Sequence, residues 1–287
     1  MDYIYYPGCS LESSAKEYDI STRSFMAAVG ARLFELEDWT CCGASAAEPI
    51  SELLSLSLGA RNLALAEKMG ISDQMLVPCS ACYLNLKRVE EKAGSHPGTL
   101  HRLNEVLDTT GLQLKSPVKI RHLLDVIVND IGAETIKARV KNSLSGMTIA
   151  PYYGCQCLRP YAVFDNPEKP ETMDALITAT GADLYPWSMG GKCCGASNMN
   201  TKMEAGIVLV SEILMAAGNA DAIVTVCPMC QMNLESWQKK ASKYTGNPLY
   251  KTILYLPQFL GLAMDLGKKA LGLDLNLAVE DRFKAIA

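Results

Sequence analysis

The chain has 287 residues, room for two domains of ordinary size, and its 49% hydrophobic and 20% charged residues make a globular balance that excludes disorder. Net charge is −4 and the basic residues are scattered; pairs such as Lys239–Lys240 and Lys268–Lys269 are too short for a nucleic-acid footprint. No uninterrupted apolar run is long enough to span a bilayer, and Met1 to Gly8 lacks a basic region followed by an apolar one, so we expect a cytoplasmic chain without a membrane span.

In chain order, Tyr3–Tyr6 is an apolar run of strand length, followed by a helical pattern from Ser13 to Val29 that stops at Gly30. Arg32–Glu35 is a second strand, Pro49 to Met69 a helix closed by Gly70, Met75–Val77 a third strand and Lys119–Arg121 a fourth. A small polar stretch, Asn142 to Gly146, divides the chain, giving domains 1–146 and 147–287. The second half repeats the order with strands at Thr148–Tyr152, Asp183–Tyr185, Ile223–Val226 and Ile253–Tyr255. The apolar stretch Ile253 to Leu273, interrupted by Pro257, Asp265 and Lys268–Lys269, suits a core or partner-facing helix. Strands alternating with helices predict an α/β fold of two similar, open, mainly parallel-sheet domains with right-handed crossovers.

Eleven cysteines without a secretion signal point to metal ligands or redox groups, since a reducing cytoplasm disfavours structural disulfides. They lie in repeated blocks. Tyr5-Tyr6-Pro7-Gly8-Cys9 is answered by Pro151-Tyr152-Tyr153-Gly154-Cys155, and Cys41-Cys42-Gly43-Ala44-Ser45 by Cys193-Cys194-Gly195-Ala196-Ser197. Cys79-Ser80-Ala81-Cys82 and Asn85-Leu86 are answered by Cys227-Pro228-Met229-Cys230 and Asn233-Leu234, all at an offset of roughly 150 residues. In each half the cysteines follow the first, second and third strands, whose carboxyl ends share one edge of a parallel sheet, where ligand sites form. The CxxC pairs open helices, and a helix N-terminus favours the thiolate that binds metal.

Buried structural cysteine does not explain two spaced sets, and a thioredoxin-like reading of Cys79 and Cys82 leaves Cys41–Cys42 unexplained. Zinc needs four ligands, one fewer than each set offers. Five thiols, two of them adjacent, suit an iron–sulfur cluster of unusual shape; zinc, or a different cluster in one module, is the alternative. Gly43 and Gly195 would let backbone approach inorganic sulfur.

The patterns Cys-x31-Cys-Cys-Gly-x35-Cys-x2-Cys and Cys-x37-Cys-Cys-Gly-x31-Cys-x2-Cys resemble the tandem CCG domains of the B-type subunit of heterodisulfide reductase, over nearly the whole chain. The resemblance implies two non-cubane [4Fe–4S] clusters. One would sit on Cys9, Cys41, Cys42, Cys79 and Cys82, the other on Cys155, Cys193, Cys194, Cys227 and Cys230, with Cys157 outside both sets. It further implies reduction of a disulfide, such as the CoM-S-S-CoB heterodisulfide or a relative of it, to two thiols. Electrons would come from a ferredoxin-like iron–sulfur subunit and a flavin-containing subunit of the same complex. The alternatives are a CCG electron-transfer subunit of another oxidoreductase (oxidising lactate, glycolate or succinate, or reducing aromatic acyl-CoA) and a non-catalytic relay. Gly190-Gly191 lacks the strand–GxGxxG–helix setting, so a nucleotide cofactor would need another subunit. Among other residues, His122, at a strand end and aligned roughly with Pro257, is a weak catalytic candidate; His96 and His101 suit the surface. Trp39 and Trp187 suit shielding or core roles, while Asn85 and Asn233 either orient a helix or donate to cluster sulfur, or are polar helix-face residues with no such role.

Overall fold

The computed structural model describes residues 1–44 and 47–286; Ser45 of the first repeated block lies outside them. Two four-stranded parallel sheets form the frame. The first comprises β1 (Asp2–Tyr5), β2 (Arg32–Glu35), β3 (Gln74–Val77) and β4 (Lys119–His122) in the order β2-β1-β3-β4. The second comprises β5 (Thr148–Tyr152), β6 (Asp183–Leu184), β7 (Ala222–Thr225) and β8 (Thr252–Tyr255) in the order β6-β5-β7-β8. The inner strands are apolar on both faces, as helix-covered parallel strands must be, and β7 and β8 are buried throughout. The edge strand β2 carries Arg32 and Glu35 outward, a charge pattern that discourages further pairing. In each sheet the chain order reverses between the first and third strands, the switch point at which open parallel sheets bind ligands.

Local signals explain the helices. Helix Glu52–Met69 begins where the Ser51 hydroxyl accepts from the Leu54 N–H at 3.3 Å, and ends at left-handed Gly70, whose N–H reaches Ala66 O. The expected helix from Ser13 instead starts at Lys16, because Gly8–Glu12 forms a separate short helix that carries Cys9. The apolar stretch from Ile253 is not one helix. It opens as β8 and turns into the fully buried helix Leu256–Ala263, where Pro257 occupies the first turn and needs no hydrogen-bond acceptor.

The halves are packed crosswise. Helix Leu256–Ala263, which follows the last strand of the second sheet, rests on helix Lys16–Ala28 of the first half. The helical segment Ile127–Ile131, after the last strand of the first sheet, rests on helix Thr172–Thr178 of the second. Phe25 and Met26 therefore share one apolar core with Phe259 and Leu260, while a smaller core around Ile207, Val210 and Ile213 belongs to the second half alone. Among the described residues, no helix is long and apolar enough to cross a membrane.

Candidate metal centres

The strands place the cysteines as the repeat requires. Cys9 follows β1, Cys41 and Cys42 follow β2, and Cys79 closes β3 as the residue capping helix Ser80–Ser95. Cys155, Cys193–Cys194 and Cys227 occupy the same places in the second sheet, Cys227 capping helix Pro228–Ser236. Within each half the five sulfurs converge. Cys9 hydrogen-bonds to Cys41, Cys41 to Cys42, and Cys82 reaches both Cys79 and Cys42, the last with Sγ–Sγ 3.3 Å. In the second half Cys155 hydrogen-bonds to Cys193, and Cys230 reaches both Cys227 and Cys194, the last at 3.6 Å. Each set has a buried inner part (Cys42, Cys79 and Cys82; Cys194, Cys227 and Cys230), whereas Cys9, Cys41 and Cys193 are exposed and Cys155 is half-buried.

The supporting contacts are duplicated as well. Asn85 Nδ2 donates to Cys42 O, and Asn233 Nδ2 donates to Cys194 O at 2.7 Å. These amides tie the CCG loop to the CxxC helix; their bonds go to carbonyls, not to sulfur. The Gly43 N–H points at Cys41 Sγ at 3.5 Å, and the Gly195 N–H at Cys193 Sγ at 3.4 Å. Both glycines turn with positive φ against a helix. A Cβ at Gly43 would press on Ser55 O at 3.1 Å and one at Gly195 on Leu209 at 2.9 Å, so close packing, not approach to sulfur, excludes a side chain. The glycines that do face sulfur are Gly8 and Gly154, where a Cβ would stand 2.9 Å from Cys82 Sγ and Cys230 Sγ respectively.

Two tyrosines that motif reasoning left out complete the frame. Tyr6 OH donates to Thr40 O and Tyr152 OH to Lys192 O, each at 2.7 Å, fixing the approach to each cysteine pair. The repeat itself carried that signal, since Tyr6 and Tyr152 each stand three residues before a ligand-type cysteine. Trp39 packs edge-on to Tyr6, and Trp187 leans on Tyr152 and donates to Pro151 O at 3.1 Å.

Electrostatics follows from crowding thiols together. Hydrogen bonds from Cys42 and Cys9 hold Cys41 down to about 2, while the same bond to Cys41 pushes Cys42 up to about 12 and raises Cys9. Cys193 falls to about 6, chiefly through the hydrogen bond from Cys155, which rises in turn. Cys227 falls to about 7, first through Cys230 and, against the opposing effect of burial, also through the Cys230 N–H, the Ser80 hydroxyl and the Met229 N–H. Each set thus shares protons among its sulfurs, and only bound cationic charge would let all five ionise together. The donor chemistry fits iron–sulfur ligation: soft thiolates, with a cradle at Gly8 and Gly154 that a methyl group would fill. Among the described residues, no three His, Cys, Asp or Glu side chains are posed around a single-ion position.

Residues 3–87 and 149–235 each match the CCG cysteine-rich domain, together more than half of the chain. The chain belongs to the CCG cysteine-rich domain family. Its CCG modules align over 280 residues, 96% of each chain and at 33% identity, with the 8-methylmenaquinol:fumarate reductase membrane anchor subunit of Wolinella succinogenes. A protein of Archaeoglobus profundus that is like the B-type subunit of heterodisulfide reductase is 30% identical over 271 residues, 91% of this chain and 90% of that one. The B-type subunit of the ferredoxin/F(420)H(2)-dependent CoB-CoM heterodisulfide reductase of Methanosarcina acetivorans is 25% identical, covering 97% of this chain and 94% of that one. A crystal structure of a hypothetical protein from Helicobacter pylori has the same fold, with a TM-score of 0.77 and 18% identity over 98% of this chain and 52% of that one.

The remaining candidates stand outside the two sets of five cysteines. Cys157 is buried and donates to Tyr153 O at 3.3 Å. His96 and His101 are exposed. His122 ends β4, as expected, but its counterpart in the second sheet is Tyr255 at the end of β8, not Pro257, since the two residues pair with Val77 and Thr225 at equivalent positions. Burial lowers His122 to about 3, and its ring lies between Tyr83 and Phe164 at the junction of the halves.

Proposed function

We propose that the chain is the cluster-bearing subunit of a multi-subunit reductase, and that its ten paired cysteines hold two non-cubane [4Fe–4S] clusters that act together to cleave a disulfide. The observation that carries this reading is the meeting of the two CxxC helix starts. Tyr18 OH lies 3.3 Å from Pro78 O and 3.1 Å from Val226 O, the carbonyls just before Cys79 and Cys227. Ser80 Oγ lies 3.3 Å from Val226 O, so the buried ends of the two sites are pinned to each other across the junction. Reduction of a disulfide consumes two electrons and two protons and releases two thiols, and two neighbouring one-electron stores suit that count.

When bound, the clusters would supply single-electron storage and Lewis-acidic iron for sulfur, chemistry that side chains lack. The chain's own residues bind and orient. Asn85 and Asn233 fix the CCG loops, Tyr6 and Tyr152 close the protein side of each site against water, and the exposed Cys9, Cys41 and Cys193 mark where electron donor and substrate can approach. A ferredoxin-like subunit, supplied in turn by a flavin subunit, fits as donor, in the cytoplasm. The likeness to a fumarate reductase subunit favours a second reading, in which the same pair relays electrons to a partner flavoprotein and touches no disulfide. Anaerobic protein reduced by methyl viologen and offered a mixed disulfide separates the two. Release of two thiols per two electrons supports the first reading; full reduction of both sites with no thiol released supports the relay.

A further inference from the structure

The two modules differ in the charge carried around their sites. In the first, helix Glu52–Met69 opens behind its cap Ser51, and Glu52 pairs with Lys92, ten residues past Cys82. Arg88 pairs likewise with Glu48. In the second, helix Met203–Ala216 opens behind Lys202, so Met203 stands where Glu52 does. Lys240, ten residues past Cys230, answers Lys92. Its ammonium meets Met203 Sδ at 3.2 Å and lies over the Trp237 ring at 4.3 Å, contacts that leave its charge unneutralised.

Two further cations stand on the same loop. Lys192 directly precedes the exposed Cys193, where the first module has Thr40. The Lys202 N–H donates to Asn198 O at 2.7 Å, which holds that residue against the CCG loop. All three lysines are exposed, and among the described residues none of them forms an ion pair with a carboxylate. Glu168, whose carboxyl feels the Lys192 charge, is held by Arg159 at 2.9 Å. Glu204, exposed beside Met203, offsets one of the three charges and leaves the rim positive. Apolar surface accompanies the charge: Met203 and Met232 are 39% and 44% exposed, and methionine adapts readily to a partner's shape.

The chemistry of the occupant follows. The chain as a whole has a net charge of −4, so an acidic molecule is repelled elsewhere and steered to this rim. A small anion is a poor match. Among the described residues no lysine lines the second site's cavity, whose volume of about 60 Å³ is far below the ~300–1,000 Å³ of small-molecule pockets. The lysines face outward on three separate segments, the spacing of a protein contact. They surround Cys193, the exposed edge of the second set, which favours a partner that itself carries electrons over an anionic membrane surface.

We propose that the rim formed by Lys192, Lys202 and Lys240 is the docking face for an acidic electron-donor protein of the ferredoxin class, so that electrons enter the chain at its second module. In each encounter the donor's cluster is oxidised by one electron as the second site is reduced by one. This rests on the reading that the second set of cysteines holds an iron–sulfur cluster.

The test uses the intact, cluster-loaded chain and a small acidic ferredoxin as probe. Binding of the oxidised ferredoxin is followed by calorimetry, and electron transfer from the reduced form by stopped-flow absorbance. The double variant Lys202→Glu/Lys240→Glu changes only exposed side chains. It should lower the association rate about tenfold at low salt and flatten its fall with ionic strength, since rim charges act mainly on the encounter. Lys115→Glu/Lys119→Glu makes the same charge change at the opposite end of the first sheet and should leave both readouts near wild type. A double variant with wild-type binding and salt dependence, or a control slowed equally, would overturn the inference. So would wild-type protein that binds anionic phospholipid vesicles but not the ferredoxin. In each of these cases, reduction of both sites by methyl viologen with full iron content would leave the cluster reading standing. Absence of iron and sulfide from the second site would remove both.

Discussion

The amide clips make a sharp test of how the sites are held. Asn233 is 2% exposed, and its Nδ2 donates to Cys194 O at 2.7 Å, fastening the CCG loop to the CxxC helix. Asn233→Ala removes the donor and leaves a buried carbonyl without that partner, which costs about 1–3 kcal/mol. Asn233→Asp preserves the shape but sets a carboxylate against the carbonyl oxygen and near ionisable sulfurs, so it should cost several kcal/mol more than Ala, as an unpaired buried charge does. Each kcal/mol corresponds to about 2–4 °C in the melting temperature of a large domain. The assay is thermal unfolding with iron content after anaerobic reconstitution, and Asn85→Ala serves as the matching change in the first module. We expect the order wild type, Ala, Asp in stability, with iron lost from the second site by the Asn233 variants and from the first by Asn85→Ala. An Asn233→Ala protein that melts and loads iron like the wild type would refute the idea that the amide positions the loop.

Tyr18→Phe removes the hydroxyl shared between Pro78 O and Val226 O and should lower stability by about 1–3 kcal/mol in chemical denaturation; no change would mean the junction does not depend on it. Cys157→Ser should keep full iron content while Cys193→Ser or Cys194→Ser strips or converts the second cluster, because a hard oxygen ligand suits iron–sulfur chemistry poorly; loss of iron in Cys157→Ser would move that thiol into the site. Burial raises Glu235 from an ordinary 4.5 to about 7, against the opposing N–H groups of Leu277 and Ala278. The folded state thus holds a proton that the unfolded chain has released, so this group's contribution to stability is full below about 4.5 and is lost as pH rises through about 7, on the order of 3 kcal/mol at most. Glu235→Gln should flatten that fall relative to wild type, and an identical pH profile would show that the carboxyl stays ionised.

What the sequence made legible was periodic or duplicated. Strands at Arg32–Glu35 and Thr148–Tyr152 fall at their expected bounds, because each is a short strand-length run that directly follows a glycine-containing turn. The convergence of Cys9, Cys41–Cys42 and Cys79 follows from strand order alone, since all three sit past the same sheet edge. The crosswise packing of helix Leu256–Ala263 on the first half was not legible: its apolar face reports burial but not the partner. Ser80 escaped notice for the opposite reason to Tyr6. It has no counterpart in the repeat, and its significance comes from Val226 and His122, which only the fold brings near. Asn85 and Asn233 were visible as a pair, yet their bond to a carbonyl and not to sulfur depends on the path of the CCG loop.

The most direct measurement is the iron, acid-labile sulfide and zinc content of the anaerobically purified chain. Two four-iron clusters on the ten paired cysteines require about eight iron and about eight sulfide per chain, with zinc negligible. Stoichiometric zinc with little sulfide would contradict the cluster assignment and, with it, the paired-electron function.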